Sequence, residues 1–156
     1  MLARAISAVV LLAGFAAPLA AQAEGEVTAR VTASKKHCNP KTATAADVGE
    51  VAYSPAAFAG KCVSLQGYWR DVAVYPTLAE ANQPDALSIP FLDRRRIGLY
   101  LPPKDDARAP KAPAAARVIG VVGVCDKLLS SGAQVMGYCH YKTGAYLAVA
   151  SIVLDK

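Results

Sequence analysis

The sequence predicts a mainly β domain: a small barrel of five or six short strands with one or two short helices. Three observations carry this. Short runs of alternating apolar and polar residues recur, bounded by Gly, Pro and Asn. Gly67, Gly98, Gly123 and Gly137 fall inside such runs, where barrel strands bend sharply or carry bulges. Four cysteines follow a leader of secretory type, so disulfides are expected to brace the domain.

Arg4 is the only charge before Glu24, residues 6–17 are apolar, and Ala21, Gln22 and Ala23 give the small-x-small pattern that signal peptidase accepts. Residues 1–23 are therefore read as a signal peptide. The alternative is an uncleaved anchor, but Gly14 and Pro18 interrupt the stretch, which falls short of the roughly 20 residues a spanning helix needs. A lipoprotein would need a cysteine at the cleavage point, and the nearest is Cys38. No membrane span is expected after cleavage, and the expected location is periplasmic or secreted.

The 156 residues less this leader leave 133, enough for one domain with one core. The 17 basic residues less Arg4, set against 12 acidic ones, leave a net charge of +4. Such a charge favours anionic surfaces (acidic polysaccharide, lipid head groups or nucleic acid). It reads first as a solubility feature.

Residues 24–52 are polar and read as an N-terminal arm, ordered where Cys38 pins it. Residues 27–31 alternate like a short strand, and the Asn39 and Pro40 pair marks a turn. The barrel domain is assigned to residues 53–156. Ser54 can cap a helical turn that Pro55 opens and Gly60 stops. Residues 62–69 alternate, with Val63, Leu65 and Gly67 on one face. Residues 71–75 continue as a strand. Thr77 and Glu80 have capping-box spacing, and 82–90 reads as loop. Residues 97–101 alternate again. Residues 102–116, rich in Pro and Ala, are expected to be an exposed flexible loop without strand. Residues 118–125 suit a buried strand, 126–132 a helical turn, and 135–141 a strand. Residues 142–145 suit a hairpin turn using Gly144, and 146–154 a closing strand.

Four cysteines allow three pairings, and spacing alone does not choose among them. Cys38–Cys62 with Cys125–Cys139 is the pairing favoured. The first bond would tie the polar arm to the core, and the second would cross-link two neighbouring strands. Each closes a loop of moderate length, worth about 3 kcal/mol in the chain-entropy model.

The order of elements resembles the OB fold, in the form of small bacterial exported OB-like domains related to the tRNA-anticodon-binding type. GKCVSLQG at 60–67 is similar to that family's opening G-K-x-V-x-V-x-G strand. IGLYL at 97–101 is similar to its middle strand, SGAQVMGYC at 131–139 to its later x-G-x-x-V-x-V-x-G strand, and 146–154 to its last. The resemblance covers residues 54–154 and implies a fold. It implies no function, because OB folds bind oligonucleotides, sugars or proteins.

OB folds bind ligands on a sheet face with stacking aromatics and cations. Tyr68, Trp69, Arg70, Tyr100, Tyr138, His140 and Tyr141 are therefore the candidate ligand-binding residues, with Tyr75 nearby. Tyr68, Tyr138 and His140 are expected to face outward. The plainer account is that tyrosines favour half-buried strands whatever the function. Arg94, Arg95 and Arg96 could meet phosphate or carboxylate. They read instead as a solvated loop partly paired with Asp93.

His37 with Cys38, and Cys139 with His140, could contribute to a metal or redox site. Adjacent His and Cys side chains diverge, however, and disulfides account for all four thiols. Neither histidine sits in a nucleophile motif, and no phosphate loop, C-x-x-C or H-E-x-x-H is present. Asp105 and Asp106 read as solvated.

The chain is thus expected to be a non-catalytic binding or assembly module that needs no cofactor. Its partner would be an unknown ligand or another exported protein, and nucleic acid is disfavoured by the compartment. The alternatives are a structural adaptor of the cell envelope, or a metal-binding or redox protein that uses the Cys/His pairs.

Overall fold

A computed structural model describes residues 31–83, 95–106, 108–130, 136–141 and 143–155. The described strands are β1 (Thr44–Ala46), β2 (Cys62–Arg70), β3 (Ala73–Tyr75), β4 (Ile97–Tyr100), β5 (Ala114–Val124) and β6 (Ala145–Leu154). The helices are all short: α1 (Val48–Tyr53), α2 (Pro55–Phe58), α3 (Leu78–Asn82), α4 (Pro103–Asp106), α5 (Cys125–Leu129) and α6 (Tyr138–Tyr141).

The strands run in the order β1-β2-β3-β4-β6-β5, and β5 pairs again with β2. This second pairing closes β2, β3, β4, β6 and β5 into a five-stranded barrel compatible with an OB-like fold. β4 and β6 are parallel, and the other barrel pairs are antiparallel. β3 is too short to cover the whole of β2. β1 fills the remaining edge, parallel to β2, with Thr44 opposite Val63.

Alternation sets the two faces. Val63, Leu65 and Trp69 of β2 point inward, as do Val74, Ile97, Leu99, Val118, Val122, Leu147 and Val149. Burying each such side chain is worth roughly 1.5–3 kcal/mol. β5 and β6 shift register between Ile119 and Gly120, a bulge of the kind that bends barrel strands.

Both disulfides form in the favoured pairing, Cys38–Cys62 and Cys125–Cys139, with sulfur separations of 2.09 and 2.11 Å, but the second joins two short helices, α5 and α6, and not two strands. Thr77 caps α3 as its spacing to Glu80 predicts: its Oγ1 accepts from the Glu80 amide at 3.2 Å and donates to the Glu80 carboxylate at 2.8 Å. Pro55 opens α2, and Gly60 follows it with φ +79°.

Several expectations are corrected. Within the segment read as a polar arm, Thr44–Ala46 is strand β1 and Val48 opens helix α1. Asp47 caps α1, accepting from the Glu50 amide at 2.9 Å, and α1 drives Val48, Val51 and Ala52 into the barrel core. The apolar spacing of a single six-residue helix is too brief a pattern to stand out from polar surroundings. Ser54 makes no side-chain cap on α2; its carbonyl alone accepts from Ala57.

Within 102–116, Pro103–Asp106 is helical and Ala114–Ala116 opens β5. Those alanines pair with Trp69, Tyr68 and Gly67 of β2. The prolines end just before the ladder begins, so no strand hydrogen bond is lost to them. Tyr138–Tyr141 is helical where a strand was expected, so Gly144 links a helix to β6 instead of turning a hairpin. Residues 27–30, 84–90 and 131–135 lie outside the described residues, as do Asp93 and Arg94.

Candidate functional site

The outer face of the barrel is where a sheet-face ligand would lie. On it, cross-strand register lines up Arg70, Ala73, Gly98, Tyr146 and Gly123 across five strands. Two of the five are glycines for a steric reason. A Cβ on Gly98 would overlap the ring of Tyr138, and one on Gly123 would overlap the ring of Tyr146. The two glycines leave a trough that the rings of Tyr138 and Tyr146 fill.

Tyr138 reaches that trough from α6. The helix is tied by Cys139 to Cys125 at the start of α5, and the pair forms a flap over β3 and β4. Beneath it, Ala73, Cys125, Tyr138 and Cys139 are buried, with Tyr75, Tyr100, Leu128 and Tyr146 packed around them. Tyr100 joins strand to flap: its hydroxyl accepts from the Cys139 amide at 3.2 Å. Its ring meets Tyr146 edge-on, with centroids 5.3 Å apart and planes at 79°, a favourable aromatic geometry.

Burial pushes the phenol of Tyr100 above its ordinary range. The Cys139 hydrogen bond opposes that shift and the neighbouring Tyr146 adds to it. Burial raises Tyr146 as well.

The candidate ligand residues divide. Tyr100 and Tyr138 come together under the flap, but Tyr138 is only 5% exposed and does not face outward. A helix has replaced the strand whose alternation would have turned it to solvent. His140 is exposed on α6, and Tyr141 is the last residue of that helix. Trp69 is 2% exposed inside the barrel, where its indole N–H donates to the Asp71 carbonyl at 2.8 Å. Tyr68 is half-buried on the outer face, opposite Tyr75. Arg70 is held by the Ala81 carbonyl at 2.8 Å and lies 3.6 Å from the Asp71 carboxylate.

Arg96, expected in a solvated loop, is 6% exposed. Its guanidinium lies 5.9 Å from the Tyr138 ring centroid and 3.5 Å from the Tyr75 hydroxyl. Its position one residue before β4 was the available signal, since alternation there puts position 96 on the same face as Gly98 and Tyr100. Arg95 points the other way, exposed, to Glu80 at 3.6 Å.

Two clefts border residues 31–33 on this side of the barrel. The larger, about 580 Å³, has walls of Val31, Ala33, Tyr100, Leu101, Met136 and Val149, with Lys35 its one cation among the described residues. The smaller, about 360 Å³, runs along Val121, Leu128 and Tyr146. The larger falls in the size range of small-molecule sites and has their apolar lining.

All four cysteine sulfurs are held in disulfides, which leaves a thiolate site none to use unless they are reduced. Among the described residues no group of three or more His, Cys, Asp or Glu side chains converges as metal ligands would. No described helix is long and apolar enough to cross a membrane. Comparison with protein-family models, curated proteins and solved structures returns no match.

Proposed function

We propose that this chain is an exported, non-catalytic binding module of the OB type, and that it binds its ligand in the cleft beside Tyr100. One observation carries the reading. Tyr100 is fixed on one side by the Cys139 amide and Tyr146, and forms a wall of the 580 Å³ cleft on the other. A rigid aromatic on a preorganised apolar wall is what an anchor site needs, because little entropy is lost when a ligand arrives. The strand order supports the OB assignment, and the two disulfides support an oxidising compartment. The flap supports a role for the tyrosine cluster as the cleft's foundation, with the contact surface in the cleft itself.

The test is a random decapeptide phage library and a glycan array, each screened against the folded, fully oxidised chain. Binders that lose at least tenfold in signal on Met136→Asp, a wall residue 58% exposed, support the cleft. Binders indifferent to both Met136→Asp and Tyr100→Ala would move the site elsewhere. An absence of binders from both libraries counts against the binding-module reading.

A further inference from the structure

We infer that the disulfide-tied turn of residues 34–42, together with Lys61, is a second binding surface, and that it takes an anionic polysaccharide bearing sulfate or carboxylate groups. Lys35, Lys36, His37 and Lys41 all lie within this turn and all are exposed. Cys38, 1% exposed, is the turn's anchor, packed with Ile119 and Ala150 and bonded to Cys62. That bond holds the Cys38 and Cys62 Cα atoms 5.4 Å apart. Lys61 is one residue from Cys62, so its Cα lies within about 9 Å of that of Cys38. Its ammonium sits 5.5 Å from the Phe58 ring centroid, charged and on the exposed side.

The turn is rigid by its own hydrogen bonds. Asn39 Oδ1 accepts from the Lys41 amide at 3.0 Å, and Thr42 Oγ1 accepts from the Asn39 amide at 3.0 Å and donates to the His37 carbonyl at 3.2 Å. The Cys38 and Ala43 amides close two further turns at 2.9 Å. The cations are therefore displayed on a fixed frame.

They are also unneutralised. Lys111, Arg70 and Arg95 each pair with a carboxylate, whereas none of Lys35, Lys36, Lys41 and Lys61 forms an ion pair with a described acid. The next acid along the chain, Asp47, is engaged as the cap of α1. Like charges held together without counter-charge attract a polyanion, and they cost folding stability unless one is bound.

The class of polyanion follows from what else the turn displays. The turn itself has no large apolar side chain to enter a bilayer and no Phe, Tyr or Trp for bases to stack on; its one ring is His37, and Phe58 beside the surface is half-buried with the Lys61 ammonium over its face. It displays lysines, compact charges without the planar fork of arginine, suited to anionic groups spaced along a flexible chain.

The probe is a fluorescent heparin decasaccharide, titrated against the full exported chain by anisotropy at several salt concentrations. Two triple variants of equal net charge are compared: K36A/K41A/K61A, and the control K104A/K111A/K127A. Lys35 stays in place because it also borders the cleft. The turn variant is expected to bind at least tenfold more weakly with a shallower salt dependence, and the control to stay within about twofold, both with unchanged circular dichroism. Equal losses in the two variants would reduce the effect to bulk charge and overturn the proposal. Comparable, turn-dependent binding to a 20-nucleotide oligo-dT or to vesicles of anionic phospholipid would overturn the assigned class.

Discussion

The ring of Tyr138 occupies the volume that a side chain on Gly98 would need. The two residues are 40 positions apart, one on a barrel strand and the other on the disulfide-tied flap. Their fit couples flap to barrel through shape. Gly98→Ala is expected to destabilise the fold by about 1–3 kcal/mol, the usual cost of overpacking. Urea unfolding checks it. In the double variant with Tyr138→Ala the two losses should fall short of additive, because removing the ring removes the clash. Strict additivity would mean that the two positions do not touch.

Trp69 is the only tryptophan in the chain, and it lies in the core. Its native fluorescence is expected to be blue-shifted and to move red on unfolding. Trp69→Ala should cost about 3–5 kcal/mol, and Trp69→Phe clearly less. A Trp69→Ala variant of native stability would contradict the interior placement.

Each disulfide closes a loop, of 24 residues for Cys38–Cys62 and 14 for Cys125–Cys139. Replacing either pair with alanine should cost about 3 kcal/mol, slightly more for the longer loop. The second replacement should also loosen the flap. Hydrogen exchange at the Cys139 amide, which donates to Tyr100, is then expected to accelerate more than exchange in β2.

Tyr100 and Tyr146 both titrate above the usual tyrosine value of 10.0 because burial disfavours the phenolate. The folded state therefore holds these protons more tightly than the unfolded state. Their stabilisation is complete below pH 10 and is lost as pH rises through the raised values. Absorbance at the phenolate band should show a late phase above pH 10 from these two tyrosines. Replacing both with phenylalanine should remove the late phase.

The barrel strands were legible because each buries one face, and burial on one face writes a two-residue period into the chain. The periods at 62–69 and 97–101 appear as β2 and β4, and the long apolar run at 118–125 as most of β5. The Thr77 cap was legible for a local reason, since its partners lie three residues apart. Residues 138–141 were not: Tyr, Cys, His and Tyr suit a strand by composition, yet they form a helical turn docked onto Gly98 and bonded to Cys125. The candidate site was half legible for the same reason. Tyr100 lies on a strand whose faces alternation assigns, whereas the position of Tyr138 depends on a partner 40 residues away. Trp69 shares the inward parity of Val63 and Leu65, so its burial could have been read from the same alternation that placed them.

The Cys38–Cys62 bond has a consequence for survival among proteases. Lys41 and Lys61 are exposed, and both lie inside the loop that this bond closes. A trypsin-like enzyme cutting after either leaves one covalently continuous molecule, with the severed segment still fastened to the start of β2. Such a nick would appear as an added water in the intact mass and as two fragments only after reduction.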